Sequence, residues 1–368
     1  MTLKRAISEH AKTLGFTQIG FVRVEEKPTN IEPYNTWLAE GRHGNMTFME
    51  NHITLRHRPD TLENNLKTAI VLTANYRTEN DVLDGGLRIA RYAQGDDYHR
   101  TLRAKLDALA AFVTAETGRP VAQRPAVDTA PILERELAVR AGLGWIGKNS
   151  LLIDREHGSF NFVAELLVDL VFPEDDNVVT DSCGTCSACI DVCPTNAIVS
   201  PYVIDARRCI AYLTIELRGP IPRALRPKVM NYLFGCDLCQ DVCPWNHKSK
   251  TETMLFATRP TLQDLSPIDV LEMDTLQYQE TFRHSAMKRA KQIGLQRNAA
   301  VVIGNSGDVT LVDRLAQCFE TREPLVRGHI AWAIGQLGNS NVLRTLLATE
   351  VDQYVVEEIR YALQSTQD

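Results

Sequence analysis

Cys183-Gly184-Thr185-Cys186-Ser187-Ala188-Cys189-Ile190-Asp191-Val192-Cys193-Pro194 decides how this chain is read. Three cysteines at successive x2 spacings precede an x3-Cys-Pro element, and further on come Cys209 and then Cys236-x2-Cys239-x3-Cys243-Pro244. Together they use eight of the nine cysteines. In such runs the closely spaced thiolates wrap one 4Fe–4S cluster, while the cysteine of the x3-Cys-Pro element ligates the other. Cluster one therefore takes Cys183, Cys186, Cys189 and Cys243, and cluster two takes Cys193, Cys209, Cys236 and Cys239. The crossing keeps the clusters close enough for electrons to pass. Zinc also favours Cys-x2-Cys pairs, but it has little use for three cysteines in consecutive x2 steps followed by x3-Cys-Pro. Cys318, alone in an apolar helical stretch, reads as a small core residue.

Around this segment the chain divides by composition. At 368 residues it is long enough for two or three domains. A hydrophobic fraction of 44%, a charged fraction of 23% and a net charge of −6 describe a globular protein with no overall affinity for nucleic acid, so RNA binding needs a local basic patch. Leu3, Ile7, Ala11 and Leu14 fall at helical spacing, without the apolar run of a signal peptide or a twin-arginine export signal. The longest apolar stretch, Phe160 to Phe172, is interrupted by Glu165 and Asp169, so no membrane span is expected. A cytoplasmic location follows, where thiols stay reduced and clustered cysteines mean metal rather than disulfides.

The expected fold is α+β and multidomain. Residues 1–175 form an α/β domain, residues 176–250 a cluster domain resembling the two-cluster bacterial ferredoxins, and residues 251–368 a linker and a helical repeat. Lys67–Tyr76 reads as a buried strand, and Phe160–Phe172 as a second apolar element, helix or strand. Leu102, Leu106, Leu109, Phe112 and Val113 share one face of a helix over Thr101–Thr117, ended by Gly118 and Pro120, and a further helix is expected from Pro131 to Ala141. Leu295–Gly304 aligns with Leu325–Gly335 and again with Val355–Leu363. That weak period near 30 residues is of the HEAT type, with an arginine recurring beside each apolar core. Cys209 stands 27 residues before Cys236, and the inserted segment is basic through Arg218, Arg223, Arg226 and Lys228, which suggests more than a connector.

Clusters carry single electrons, so another group must do the chemistry. No Gly-x-Gly-x-x-Gly opens a helix after a strand, and no Walker loop is present. Two polar, glycine-containing stretches remain: Arg91–His99, and Val127–Arg135 leading into Gly142–Ser150. Gly142, Gly144 and Gly147 would let the backbone approach a large ligand, with Lys148, Asn149 and Ser150 as donors; a glycine-rich turn with a solvated lysine is the plainer reading.

The order VDTAPILERELAVRAGLGWIGKNS (127–150), CGTCSACIDVCPTNAI (183–198), GCDLCQDVCPWN (235–246) and FRHSAMKRAKQIGLQRNAAVVIGNSGD (282–308) resembles the epoxyqueuosine reductases. The resemblance runs from the first domain into the repeats. It implies a cobalamin-dependent iron–sulfur enzyme that reduces epoxyqueuosine at the tRNA wobble position to queuosine, with loss of water, as the last step of queuosine synthesis. It also implies a cobalamin domain similar to that of reductive dehalogenases and a HEAT-like C-terminal domain. Phe282–Lys288 departs from the family's Gly-Ser/Thr-Pro-Ile.

By this resemblance Asp128 donates the proton to the departing oxygen, a role that calls for a neutral carboxyl with a raised pKa. From the residues alone Asp128 reads as the N-cap of the helix after Pro131. Tyr98, His99, Asp128, Lys148, Ser150 and Ser159 are expected to face the corrin, and Arg56 one of its amides or its phosphate. Arg283, Lys288, Arg289 and Arg297, with Lys291 and Arg327 nearby, are expected to meet tRNA phosphates, or else form a solvated helix face. The implied partners are a tRNA with a queuosine-type anticodon and a low-potential electron donor, with a monomer as the default. Competing readings are a dehalogenase-like enzyme acting on a small molecule and a non-enzymatic electron carrier.

Overall fold

The computed structural model describes residues 2–24, 31–63, 65–77, 86–173, 179–247 and 255–365. The chain parts into two compact units: residues 1–79, 97–207 and 237–257 form the first, and 80–96, 208–236 and 258–368 the second. The expected boundaries at 175 and 250 fall inside the first unit. The Cys209–Cys236 insertion packs with the helical repeat.

In the first unit, β1 (Gln18–Arg23), β2 (Thr68–Asn75), β3 (Gln123–Ala126) and β4 (Asn161–Val168) form an antiparallel sheet in the order β1-β2-β4-β3. The Phe160–Phe172 segment is thus a strand. β2 and β4 are the central strands, which is why both read as nearly continuous apolar runs. Helix α1 (Leu3–Thr13) packs on α2 (Tyr98–Thr117). Leu102, Leu106, Leu109 and Val113 of α2 are fully buried, each stabilising the fold by about 1.5–3 kcal/mol. Gly118, at φ +63°, ends α2 in the left-handed conformation.

Helix α3 runs Glu134–Arg140, shorter than the span expected from Pro131 to Ala141. Its residues Leu137 and Ala138, with Ala141, share a core with Val71, Ala126, Val163 and Leu167 of the sheet. The cap at its start is Leu133, so Asp128 is not its N-cap.

The second unit is built on α4 (Lys291–Ser306), α5 (Val312–Phe319), α6 (Pro324–Gln336), α7 (Ser340–Thr349) and α8 (Gln353–Ser365). Helix α4 packs on α6, and α6 on α8, which makes the weak repeat physical. The aligned glycines explain it: a Cβ on Gly304 would strike Trp332 and Ala333, and one on Gly335 would strike Ala362. Small residues at these points let successive helices approach closely.

The insertion is fastened by its arginines. Arg226, 1% exposed, forms a bidentate pair with Glu358 at 2.7 and 3.0 Å, and Arg218 donates to the carbonyls of Arg289 and Ala290. Ile221 N–H donates to Nε2 of buried His329, whose Nδ1 lies 2.7 Å from the Leu325 carbonyl. Burial, then the nearby Arg226 charge, pushes His329 well below its usual pKa, so it stays neutral as an acceptor.

Candidate active site and cluster ligands

Asp128 follows the end of β3 at φ +56°, a left-handed conformation that non-glycine residues seldom adopt. Its backbone N–H donates to Glu134 Oε1 from the first turn of α3. Its carboxylate faces the start of α2: Tyr98 Oη donates to Oδ2 at 3.0 Å, and His99 Nε2 lies 3.4 Å from the same oxygen. The other ring nitrogen, Nδ1, meets Asp97 at 2.7 Å. Tyr98 is held by stacking on Phe162 at 4.2 Å, which in turn packs edge-on against Phe256. The expected Tyr98, His99 and Asp128 are therefore one cluster. Strain of this kind at a polar cluster is a mark of function.

Its charge state corrects the sequence-based expectation. The His99 hydrogen bond above all, with help from Tyr98 and against burial, holds the Asp128 carboxyl below the usual range. Although burial opposes it, the bonds to Asp128 and Asp97 lift His99 to about 9. At neutral pH the proton sits on the imidazolium and Asp128 is ionised. Both ring nitrogens of His99 are thus turned to carboxylates.

The other residues expected at a corrin have protein partners of their own. Lys148 Nζ donates to the carbonyls of Gly184 and Cys186 at 2.7 and 2.8 Å, placing its charge on the loop of cluster one. Ser150 Oγ donates to the Tyr202 carbonyl. Ser159, 4% exposed, accepts from Gln240 and Asn246 at 3.1 and 3.0 Å. Arg56 reaches the Phe48 carbonyl and lies 6.0 Å from the Tyr34 ring. Nor do Gly144 and Gly147 open the backbone to a ligand: a Cβ on either would strike Ile153, so they let the Trp145–Ile146 and Leu152–Ile153 strands pair tightly.

Cys183, Cys186, Cys189 and Cys243, the four expected at cluster one, all lie in the first unit. Burial, then the neighbouring thiols of Cys183, Cys243 and Cys186, push the Cys189 thiol up. Cys243 is raised first by burial and further by Cys183 and Cys186. Four thiols that repel each other when ionised fit a group that takes four thiolates, and Cys243 joins the first run as the crossing requires. Trp145, Trp245 and Ile153 shield it. Among the described residues no three His, Cys, Asp or Glu side chains are arranged to hold a single metal ion.

Two of the four residues expected at RNA face inward or are paired. Arg297 is 1% exposed and donates to the carbonyls of Leu213, Leu217 and Gly219 at 2.6, 2.7 and 2.8 Å, so it is a strut of the fold and not a phosphate contact. Arg289 chelates Glu216, and Arg327 chelates Glu350. Arg283, Lys288 and Lys291 are exposed.

Comparison with known proteins follows this geometry. The sequence profile of the 4Fe-4S double cluster binding domain matches residues 182–246, which hold all eight clustered cysteines. That of epoxyqueuosine reductase QueG matches residues 56–129, and HEAT repeats match 282–364. The epoxyqueuosine reductase of Salmonella typhimurium is 40% identical over 342 residues, 91% of this chain and 88% of that protein. The chain belongs to the epoxyqueuosine reductase family. The Escherichia coli member is 41% identical over 91% of this chain and 89% of its own length. An epoxyqueuosine reductase solved with a tRNA-Tyr stem loop carrying epoxyqueuosine superposes with a TM-score of 0.92 at 29% identity, covering 100% of this chain and 99% of that one. A Bacillus subtilis member, solved with an aspartate catalytic loop swung out of the active site, gives 0.89 at 28% identity over 99% of this chain and 98% of that one. As a member of this family the chain is an oxidoreductase with two 4Fe–4S clusters. Among the described residues no helix is long and apolar enough to cross a membrane.

Sequence reasoning passed over Glu134, Glu165 and Asp97. The sign of Glu165 was in plain view, an acid in the middle of an apolar strand.

Proposed function

We propose that this chain reduces epoxyqueuosine at the wobble position of tRNA to queuosine, taking electrons from a low-potential carrier through its two clusters and using cobalamin at the Asp128 site. The observation that carries the reading is the Tyr98–His99–Asp128 cluster, set on a strained residue within a chain that matches epoxyqueuosine reductases over nearly its whole length. Cysteine spacing assigns cluster two to Cys193, Cys209, Cys236 and Cys239. Tyr98, His99 and Asp128 would border the corrin. When bound, cobalamin would supply a low-valent metal centre for reductive cleavage of a carbon–oxygen bond. His99, with its ring nitrogens turned to Asp97 and Asp128, would serve proton delivery at that site and not ligation.

The chain's own part is proton delivery. The imidazolium of His99, hydrogen-bonded to Asp128, holds a proton at neutral pH, and Asp128 Oδ2 passes it to the oxygen that leaves carbon. Tyr98 orients the carboxyl. A loop like that of the Bacillus subtilis relative would let Asp128 swing, and its positive φ marks where the backbone would relax. The exposed Arg283 and Lys288 would neutralise tRNA phosphates. The chain is expected to act as a monomer in the cytoplasm.

The test is nucleoside analysis of epoxyqueuosine-containing tRNA after anaerobic turnover with reconstituted clusters, cobalamin and a strong reductant. Queuosine should appear, and Asp128→Asn should keep both clusters and cobalamin while losing turnover by roughly 10²- to 10⁴-fold. Product formed equally well without cobalamin, or by Asp128→Asn at the wild-type rate, would refute the assignment.

A further inference from the structure

Reducing an epoxide to an alkene takes two electrons and two protons. Both carbon–oxygen bonds break, the carbon–carbon bond becomes double, and the oxygen leaves as water. A low-potential one-electron carrier, acting twice through the clusters, supplies the electrons. The His99–Asp128 pair holds one transferable proton. A second must come from elsewhere.

Glu165 lies at the centre of β4, paired with Val71 on one side and Ala126 on the other, two residues before Asp128. Val163 and Leu167, its neighbours on the same strand face, pack into the core that includes Leu137 and Ala138 of α3, so Glu165 points toward α3. It is 0% exposed, and neither carboxyl oxygen has a hydrogen-bond partner. An ionised carboxylate in such a place would be prohibitively costly, so the group is a neutral acid. Glu134, in the first turn of α3, is partly buried and accepts the Asp128 N–H.

We propose that Glu134 and Glu165 form a buried carboxyl pair that stores the second proton of the reduction and recharges the Asp128 site. This rests on the reaction assigned above. The groups facing Glu134 are Asp128, Arg135 and His99, and those facing Glu165 are Glu134 and Asp128. The other charges on α3, Glu136 and Arg140, are 3.9 Å apart, and Arg140 also donates to the Arg23 carbonyl of β1. Burial first, then the Asp128 charge, lifts Glu134 to about 8. Burial, then repulsion by Glu134 and Asp128, raises Glu165 well above its usual value. Both acids are therefore protonated at neutral pH, and Glu134 is the one that gives up its proton within the working range. A buried acid with only a packing role would be replaced by glutamine without change in the pH profile.

The test uses the full chain with its clusters. Infrared spectra in water and heavy water at pH 7 should show the carbonyl stretch of neutral carboxylic acids. Part of that band should fade as pH rises through about 8 and be missing in Glu134→Gln, and the remainder should be missing in Glu165→Gln. On epoxyqueuosine-containing tRNA, wild-type kcat should fall above pH 8. Glu134→Gln, whose amide oxygen still accepts the Asp128 N–H, should lower kcat roughly 10²-fold, leave KM unchanged and move the alkaline limb from about 8 to about 9, where His99 loses its proton. Cluster absorbance and tRNA affinity at wild-type values certify folding, and Glu134→Gln serves if Glu165→Gln fails to fold. A missing infrared band in an active wild-type protein, or a Glu134→Gln variant with wild-type kcat and pH profile, overturns the proton store alone. A wild-type protein inactive on this tRNA overturns the assigned reaction, and with it the need for the store.

Discussion

Replacing Arg297 with methionine should cost the protein stability and leave its RNA affinity alone. The guanidinium is 1% exposed and donates to three main-chain carbonyls, those of Leu213, Leu217 and Gly219, all in the segment that carries Cys209 toward Cys236. Burial lowers its pKa to about 10, still high enough to keep it charged. A hydrogen bond to a charged group is worth about 1.5–3 kcal/mol, and each buried carbonyl left bare costs about 1–3 kcal/mol. The three share one side chain, so they do not add, and the total should resemble the loss of one buried charged network, about 3–5 kcal/mol. That is a large share of a typical 5–15 kcal/mol stability. Because a cluster protein unfolds irreversibly, hydrogen exchange is the right assay. Amides of 210–235 should exchange roughly 10²- to 4 × 10³-fold faster in Arg297→Met, by the rule of tenfold per about 1.4 kcal/mol. The slope of log tRNA affinity against log salt should match wild type. Arg283→Gln with Lys288→Gln is the contrast, lowering that slope by roughly 0.7–0.9 for each phosphate no longer neutralised, with exchange unchanged. Arg297→Met with wild-type exchange and a reduced slope would refute the reasoning.

Two further outcomes follow from the site. Cys243→Ala, although remote in sequence from the first run, should strip cluster one, lowering iron from about eight to about four per chain by iron assay and electron paramagnetic resonance, whereas Cys193→Ala should damage cluster two; the opposite pattern would undo the crossed ligation. His99 is raised from 6.5 to about 9, so its stabilisation is full below pH 6.5 and fades as pH rises through about 9. In cobalamin-free protein the hydrogen-exchange protection of wild type, corrected for the intrinsic pH dependence of exchange, should therefore converge on that of His99→Gln across this window, and parallel curves would show that His99 is neutral throughout.

What could be read from the chain was whatever is local. Ligation by Cys183, Cys186 and Cys189 is a matter of spacing, and the apolar face of α2 is a matter of period. The amphipathic repeat was legible for the same reason, down to Gly304 and Gly335, although their purpose, close passage beside Trp332 and Ala362, needed the packed helices. The failures came where a residue's partners lie far away in the chain. In the sequence Arg297 reads with Lys288 as part of one solvated or RNA-facing helix face, but Lys291 has φ +64° and the 286–290 stretch is a 3-10 helix, so the angular phase is lost where α4 begins. The charge of Asp128 was judged from its own expected burial, and the deciding neighbours, Tyr98 and His99, stand some 30 residues earlier. Glu165 was used only to rule out a membrane span. An acid at the centre of an inner strand is expensive wherever the strand lies, so its place in an apolar run already asks for a reason. Here the nearest reason is chemical: the strand that buries Glu165 pairs with the strand that ends just before Asp128.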